Sequence, residues 1–236
     1  MKTLPLPQEA IVLAGGFGTR LRAVVSDVPK PLAPVAGRPF LLWLLDGLAR
    51  QNITRVILAT GYMGELIRDR LGDTHAGMSL VHVREETPLG TGGALFAALS
   101  QATSDRVYVL NGDTWLGVAL APLAAEPPEA DLVLAVRPVA DRARYGSVVV
   151  DGNRVLGLEE KGPSGPGLVN AGVYLVRRDL PARCPMPSAF SLEAEILSKP
   201  GNLNIHAFRT EAPFLDIGTP EDFARAQILI PEWASS

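Results

Sequence analysis

The sequence predicts an α/β fold: a mostly parallel, mixed sheet flanked by helices, with a smaller antiparallel part. Short apolar runs alternate with helical stripes through the first half of the chain. In the second half, apolar runs follow one another with only turns between them, which is typical of antiparallel strands. Three glycines crowd into four positions directly after the first apolar run, at 15–18. These observations favour a sheet whose parallel strands end in functional loops.

The first half is predicted to consist of repeated strand–helix units. The strands are expected at 10–13, 55–60, 80–83 and 107–110, and the helices at 40–51, 65–71 and 93–99. Leu41, Leu44 and Leu48 lie one helical turn apart, so they mark one buried face of the first helix. The run at 55–60 is apolar almost throughout and stops at Gly61, as a strand buried on both faces does.

The second half is predicted to be richer in antiparallel strands. Its strands are expected at 132–136, 146–150, 154–158 and 169–176, with a closing helix at 220–230 and loops at 126–128 and 181–187. The turn Asp151-Gly152-Asn153 joins two of these strands as a hairpin. Pro220 suits the first position of the closing helix. No repeat, linker or low-complexity tract divides the chain, so a single domain over 1–236 is predicted.

Composition excludes several classes of function. The chain has 236 residues and is 47% hydrophobic, which is enough for a large core. Its net charge of −3 gives no overall basic field to hold nucleic acid or an anionic membrane. Cys184 is the single cysteine, so no internal disulfide can form. Without an apolar signal segment near Met1 or a long apolar run, a cytoplasmic protein is predicted.

The glycine-rich turn is the first candidate binding site. Glycine allows close backbone approach, so Gly15, Gly16 and Gly18 can point several N–H groups at one set of phosphate oxygens. Arg20 and Lys30 supply fixed positive charge beside the turn. Together they predict a nucleoside-triphosphate site.

Two other glycine motifs fit less well. A dinucleotide-binding turn would need a third glycine where Leu21 stands, and a P-loop would need a lysine directly after Gly18, where Thr19 stands. An NAD-binding oxidoreductase is therefore disfavoured. A simple tight turn between a strand and a helix remains the structural alternative.

At this point the residues match a known family. The stretch 13–21 with Pro29-Lys30-Pro31 resembles the signature of sugar-1-phosphate nucleotidylyltransferases, and the likeness continues at 88–93, 111–113, 160–161, 170–172 and 216–219. These enzymes join a nucleoside triphosphate to a sugar 1-phosphate and release pyrophosphate. The resemblance implies a Rossmann-like nucleotidyltransferase fold, with a mainly nucleotide-binding half at 9–125 and a mainly sugar-binding half at 126–236.

The resemblance also implies catalytic roles. Arg20 and Lys30 would bind the triphosphate and stabilise the departing pyrophosphate, while Lys161 would hold the attacking sugar phosphate. Asp113 and Asp216 would bind Mg²⁺, which prefers a few carboxylates together with phosphate oxygens and water. Simpler readings stay open, since each aspartate could cap a turn and Glu160-Lys161 could be a solvated pair. The scattered histidines show no zinc-ligand spacing.

Further contacts are implied on both sides of the site. The nucleotide contacts would be Leu13, Ala14, Gly15, Gly16, Gly18, Thr19, Glu85, Pro88, Gly90, Thr91 and Gly112. The sugar contacts would be Gly146, Glu160, Lys161 and Asn170.

The resemblance favours GTP as the nucleotide. Guanine offers N1–H and an amino group on one edge, and a carboxylate can accept both. Glu85 stands near the place where thymidylyl relatives carry a glutamine. A solvated Glu85 or Glu86 at the end of a strand is the alternative reading.

For the sugar, the nearest likeness is to the branch that joins GTP to D-glycero-α-D-manno-heptose 1-phosphate for capsule, lipopolysaccharide or related surface glycans. It rests on 15–22, 26–31, 190–193 and 214–222. One departure is Gly162, where many relatives have proline. No residues after the closing helix are expected to form a left-handed β-helix domain.

Several related functions remain open. The compact length also suits a mannose-1-phosphate guanylyltransferase or a uridylyltransferase acting on N-acetylmuramate 1-phosphate or glucose 1-phosphate. From another class, a catalytically silent nucleotide-sugar sensor would be expected to have lost Arg20, Lys30, Asp113 or Asp216, and all four are present. The sequence leaves the sugar, a homo-oligomeric state and feedback regulation undecided.

Overall fold

A computed structural model describes residues 6–16, 21, 24–25, 27–143, 146–159 and 164–235. The helices are α1 (Phe40–Arg50), α2 (Gly64–Leu71), α3 (Gly90–Leu99), α4 (Ala121–Ala124), α5 (Leu180–Arg183) and α6 (Pro220–Ser235), with a 3-10 turn at Lys30–Leu32 and a π-helical segment at Leu192–Leu197. No helix in this described part is long and apolar enough to cross a membrane.

The strands build one large sheet and two small ribbons. They are β1 (Glu9–Leu13), β2 (Pro34–Val35), β3 (Arg38–Pro39), β4 (Arg55–Thr60), β5 (Thr74–His75), β6 (Met78–Arg84), β7 (Arg106–Asn111), β8 (Thr114–Leu116), β9 (Leu132–Val139), β10 (Ser147–Asp151), β11 (Arg154–Glu159), β12 (Gly167–Arg177), β13 (Ile205–Arg209) and β14 (Phe214–Asp216). The order in the large sheet is β10-β11-β13-β9-β12-β7-β1-β4-β6-β5, which confirms the predicted α/β fold with a mixed sheet.

The centre of the sheet is parallel and covered on both faces. β7, β1, β4 and β6 run side by side in one direction. Because side chains alternate along a strand, Ala10 and Val12 pack with the side chains of α1 and α6 on one face. Ile11 points to the other face and packs with α3. The near-continuous apolar sequence of these strands follows from this double cover.

The second half extends the same sheet in a largely antiparallel way. β12 pairs antiparallel with β7 on one side and with β9 on the other. The register between β12 and β9 shifts between Asn170 and Tyr174, so the strand carries a bulge there. β10 and β11 form the hairpin predicted from Gly152. Residues of both halves therefore share one continuous scaffold.

Several local features differ from the expectations, and three of them concern longer or central parts of the second half. One turn of helix, α5, overlaps the start of the predicted loop 181–187, since a proline at an early helical position is compatible with helix geometry. α6 continues past Ile230 to Ser235. β13 was not predicted, because its alternating sequence IHAFR carries only a weak strand signal, yet it lies between β9 and β11.

Glu9 anchors the start of the central strand. Its side chain is buried and accepts hydrogen bonds from the Arg55 guanidinium and from the backbone N–H groups of Thr103 and Ser104. Burial raises the pKa of Glu9, but the hydrogen bonds from Ser104, Thr103 and Arg55 outweigh it and lower the pKa to about 2. The ionised carboxylate therefore stabilises the fold.

Replacing this carboxylate should cost stability in a pH-dependent way. Because the folded pKa lies below the ordinary value, the stabilisation is complete above pH 4.5 and is lost as the pH falls toward 2. We expect Glu9→Gln to reduce the free energy of unfolding at pH 7 by about 3 kcal/mol. Urea unfolding of the wild type and of Glu9→Gln at pH 7 and pH 3 measures the difference in their free energies of unfolding. This difference should be smaller at pH 3.

Glu65→Gln is the matched control for this change. Glu65 also pairs with an arginine, Arg84, but both side chains are largely exposed. Exposed ion pairs contribute little, so the control should unfold like the wild type. Equal losses for the two variants would contradict the role given to Glu9.

Candidate active site

The candidate site lies where three parallel strands end. Leu13, the last residue of β1, is paired with Ala59 of β4 and with Asn111 of β7. The Ala14 N–H donates to the Ala59 carbonyl at 2.7 Å, and the Gly112 N–H donates to the Leu13 carbonyl at 2.8 Å. The chain leaves β1 toward β4 and β6 and returns to β7 on the opposite side. This reversal of strand order is where open α/β sheets bind their ligands.

Glu85 faces the glycine-rich turn. A Cβ placed on Gly15 would lie 2.5 Å from Glu85 Oε1 and 3.2 Å from the Gly61 backbone nitrogen, so a side chain there would displace the carboxylate from the turn. The other oxygen, Oε2, accepts a hydrogen bond from the Leu89 N–H at 2.9 Å. Burial raises the pKa of Glu85, and the Leu89 N–H opposes that effect. Glu85 therefore lies beside Gly15, and its contact with the nucleotide stays a prediction.

The 88–93 segment is docked on a segment of the second half, residues 188–193. The Phe190 N–H donates to the Leu89 carbonyl at 2.9 Å, and the Phe190 carbonyl accepts from the Gly92 N–H at 3.0 Å. Gly90 has φ +70°, and a Cβ there would lie 2.5 Å from the Phe190 carbonyl oxygen. The Phe190 ring packs edge-to-face on Phe96 with centroids 4.9 Å apart. The two segments therefore form one unit.

The hydroxyl of Thr91 links these segments through side chains. It donates to Glu193 Oε2 at 2.5 Å and accepts from the Leu192 N–H at 2.9 Å. The Ser191 hydroxyl donates to the same Glu193 oxygen at 3.0 Å. Since the Thr91 hydroxyl is engaged in this way, the nucleotide contact predicted for Thr91 would use its main chain.

Lys30 lies between the two predicted metal ligands. Its ammonium is 2.6 Å from Asp113 Oδ2 and 3.3 Å from Asp216 Oδ1, and its side chain is only 11% exposed. Asp113 follows β7, whereas Asp216 ends β14. The antiparallel ribbon β8–β14 sets Asp216 opposite Thr114, and the Ile217 N–H donates to the Asp113 carbonyl at 3.0 Å. This ribbon brings together residues that are distant in sequence.

The charges of Lys30, Asp113 and Asp216 do not balance. Two carboxylates share one ammonium, and the pKa of Asp216 is raised, first by burial and then by the charge of Asp113. The Lys30 ammonium and the Gly218 N–H lower it, but not enough to offset both effects. A further cation beside Asp113 and Asp216 would relieve this repulsion.

The donor set also fits Mg²⁺ chemically. Among the described residues, no group of three or more histidine, cysteine or acidic side chains converges on one point. Mg²⁺ does not need such a cage, because it commonly binds one or two carboxylates and takes its other ligands from phosphates and water. Asp113 and Asp216 supply two hard oxygen donors of that kind.

A polar network lies beneath the site in β12. The Asn170 amide donates to the Tyr174 hydroxyl at 2.7 Å, while its oxygen accepts from the Gly172 N–H at 2.8 Å. Tyr174 is fully buried. Its pKa is raised by burial and by the charges of Glu193 and Asp113, against hydrogen bonds with Asn170 and Asn111. The network holds Asn170 at the bulge, and burial keeps Tyr174 protonated.

Comparison with known proteins decides the family. Residues 9–232 match the nucleotidyl transferase family. The chain belongs to this family. The match covers almost all of this transferase, including every described residue of the site.

Curated relatives of the transferase match it along nearly their full length. It is 39% identical over 222 residues to the D-glycero-α-D-manno-heptose 1-phosphate guanylyltransferase of Aneurinibacillus thermoaerophilus, which covers 93% of this chain and 96% of that protein. It is 38% identical over 216 residues to the enzyme of the same name from Campylobacter jejuni, covering 91% and 96%.

Solved structures agree with this relationship. The crystal structure of HddC from Yersinia pseudotuberculosis superimposes with a TM-score of 0.84 at 35% identity and covers 93% of this chain and 97% of that one. HddC complexed with GMP-PN gives a TM-score of 0.83 at 34% identity.

The structure of the transferase brings many of the predicted site residues to one edge of the sheet. Leu13, Ala14, Gly15, Glu85, Gly112, Asp113, Lys30 and Asp216 lie at or beside the ends of β1, β4, β7 and β14. Gly16 and Pro88 are exposed. Gly146 precedes β10, where a Cβ would lie 2.8 Å from the Glu159 carbonyl oxygen. Gly18, Thr19, Arg20, Glu160 and Lys161 lie outside the described residues.

Sequence reasoning assigned no role to three side chains of the transferase. Asn111 and Tyr174 hold the network under Asp113 and Asn170, and Glu193 joins the 88–93 segment to the second half. Asn111 precedes the predicted Gly112 and Asp113, which was a usable signal. In the sequence, Tyr174 cannot be distinguished from the apolar residues around it in the strand. Only the fold shows that its hydroxyl is bound by Asn170.

Proposed function

We propose that this transferase joins GTP and D-glycero-α-D-manno-heptose 1-phosphate, giving GDP-heptose and pyrophosphate for surface-glycan biosynthesis. The observation that carries the proposal is the Lys30–Asp113–Asp216 cluster at the carboxyl edge of the sheet, in a chain that aligns almost end to end with heptose 1-phosphate guanylyltransferases. Because GTP is a cytoplasmic nucleotide, we place the reaction in the cytoplasm.

The chemistry asks mainly for charge neutralisation and alignment. An oxygen of the sugar phosphate attacks the α-phosphorus of GTP, so a P–O bond forms while the bond to pyrophosphate breaks. Both reactants are anions, and a sugar phosphate is already ionised at neutral pH, so no general base is needed. In the proposed mechanism Lys30 and Arg20 bind the triphosphate and Lys161 holds the sugar phosphate.

The surroundings of Lys30 support this assignment. Its nearly buried ammonium is held by Asp113 and Asp216 at the carboxyl edge of the sheet, where we propose that the phosphates bind. The same two carboxylates would hold Mg²⁺. When bound, Mg²⁺ supplies positive charge that offsets the phosphates.

Glu85 is proposed to select guanine. Its Oε1 faces the glycine-rich turn, and the Leu89 N–H fixes Oε2. An ionised carboxylate has about four acceptor positions, so Oε2 can accept from guanine in addition to Leu89. Uracil and thymine present an acceptor, a donor and an acceptor, which two carboxylate oxygens cannot match.

A pyrophosphate-release assay tests the whole proposal. Purified protein is supplied with Mg²⁺ and each combination of GTP, UTP, dTTP and ATP with heptose, mannose, glucose and N-acetylmuramate 1-phosphates. The highest kcat/KM should belong to GTP with the heptose phosphate. Faster turnover with UTP or dTTP would refute the guanine assignment, and a preference for mannose 1-phosphate would refute the heptose assignment.

Glu85→Gln should relax the nucleotide preference. A glutamine can accept from only one of the two guanine donors and turns its own amide toward the other. We expect kcat/KM for GTP to fall about 10- to 100-fold, the usual effect of losing a charge-assisted hydrogen bond, while the values for UTP and dTTP stay level or rise. The measurement is pyrophosphate release at limiting nucleotide.

Glu86→Gln is the control, since Glu86 is an exposed neighbour. It should leave the preference intact. Because burial raises the pKa of Glu85, the wild-type preference for GTP should also weaken as the pH falls toward that pKa. A preference that persists in Glu85→Gln would remove Glu85 from base recognition.

A further inference from the structure

Glu193 has a fixed orientation, and the proposed mechanism gives it no role. It lies at the start of the π-helical segment Leu192–Leu197, a geometry that is frequent at functional sites. Its Oε2 accepts hydrogen bonds from Thr91 at 2.5 Å and Ser191 at 3.0 Å. Ser191 in turn accepts from the Ala194 N–H at 3.1 Å and so caps the segment. One side chain from each half of the chain, Thr91 and Ser191, thus holds this carboxylate.

The second oxygen of Glu193 is available for a ligand. No donor in the described part of the chain lies within hydrogen-bond distance of Oε1, whereas Oε2 has two. A half-buried carboxylate with one anchored oxygen keeps strong acceptor capacity in a single direction. Hydroxyl groups are the natural donors for such an acceptor.

Glu193 lies on the sugar side of the proposed site. Tyr174 accepts a hydrogen bond from Asn170, the predicted sugar contact, at 2.7 Å. The charges of both Glu193 and Asp113 act on the Tyr174 hydroxyl. Leu192, the residue directly before Glu193, also packs in the same buried cluster as Tyr174. Glu193 therefore follows a residue of the cluster that contains the tyrosine bound by Asn170.

We propose that Glu193 determines sugar specificity, with Oε1 accepting a hydrogen bond from a ring hydroxyl of the sugar 1-phosphate. The inference rests on the proposed function only in requiring a sugar phosphate as second substrate. A sugar that lacks this hydroxyl leaves a partly buried charge unpaired, which is how such sites reject close analogues. Because Thr91 fixes Oε2, the 88–93 segment positions the Glu193 carboxylate that would bind the sugar hydroxyl.

Steady-state kinetics with the best sugar phosphate of the wild type tests the assignment. In Glu193→Ala and Glu193→Gln, the KM for the sugar phosphate should rise about 10- to 100-fold, while the KM for GTP stays within about two-fold. Glu195→Gln is the matched control, since Glu195 is an exposed neighbour that pairs with Lys199 at 3.6 Å. This control should behave like the wild type. An unchanged KM for the sugar phosphate in both Glu193 variants would overturn the proposal.

A series of monodeoxy sugar 1-phosphates gives an independent readout. For the wild type, the KM should rise when one particular hydroxyl is missing from the sugar phosphate. For Glu193→Ala, loss of that hydroxyl should leave the KM unchanged. If the alanine variant fails to fold, the series is run on Glu193→Gln, which keeps the side-chain volume. The proposal would be overturned if, for every monodeoxy sugar phosphate, the Glu193 variant showed the same rise in KM as the wild type. Failure of the proposed function is a separate result, because the wild type would then release no pyrophosphate with any sugar phosphate.

Discussion

Asp113→Asn is expected to lower kcat about 100- to 1000-fold while leaving the fold intact. The substitution keeps the size of the side chain and still offers an oxygen to Lys30, but it removes the charge that the proposed Mg²⁺ site needs. Asp113 lies in a turn after β7 and contributes nothing to the apolar core, so thermal unfolding should change little. Pyrophosphate release over a range of Mg²⁺ concentrations measures the effect.

Asp105→Asn is the matched control for this variant. Asp105 lies just before the opposite end of β7, is almost fully exposed and contacts Arg178 at 3.5 Å. Its turnover should equal that of the wild type. A wild-type rate for Asp113→Asn at ordinary Mg²⁺ concentrations would remove Asp113 from the site.

Asp216→Asn is expected to abolish most activity and, at the same time, to stabilise the protein at neutral pH. Burial and the charge of Asp113 raise the pKa of Asp216, so its ionised form costs folding free energy. The wild type therefore loses stability as the pH rises through the folded-state pKa, and asparagine removes this loss. We expect a gain of about 0.5–2 kcal/mol, the usual range for stabilising substitutions.

Unfolding measured across pH separates this effect from simple repacking. Below about pH 3.9, the ordinary aspartate pKa, both proteins are neutral at this position and should be equally stable. Asp179→Asn provides a control of opposite sign. Hydrogen bonds from Arg177 lower the pKa of Asp179 to about 2, so its removal should destabilise the protein at pH 7. A less stable Asp216→Asn at pH 7.5 would contradict the charge imbalance described at Lys30.

Most of the fold follows from local sequence pattern. The runs at 55–60 and 107–110 have apolar side chains on both faces, and such runs form central strands wherever helices cover both sides. The hairpin at Gly152 follows from turn chemistry alone. In contrast, β8 and β14 have three residues each and lie about 100 positions apart, so nothing local indicates that they pair.

The sequence motifs predict which residues form the candidate site, but not how those residues contact one another. Motifs single out Lys30, Asp113 and Asp216, whereas the β8–β14 ribbon decides that one ammonium lies between both carboxylates. Thr91 shows the same limit. Its nucleotide contact stays a prediction, and the engagement of its hydroxyl by Glu193 depends on a segment about 100 residues downstream, which no local pattern indicates.

The position of β12 between β7 and β9 has an evolutionary consequence. Tyr174 of β12 is paired with Val109 of β7 on one side and with Leu134 of β9 on the other. A strand from the second half of the sequence therefore lies in the middle of the sheet. A recombination event that replaced the residues after 126 would have to preserve the register of β12 with both β7 and β9. We therefore expect preference for the sugar substrate to change by single substitutions at residues such as Asn170 and Glu193, because exchange of a whole segment would disrupt the strand pairing.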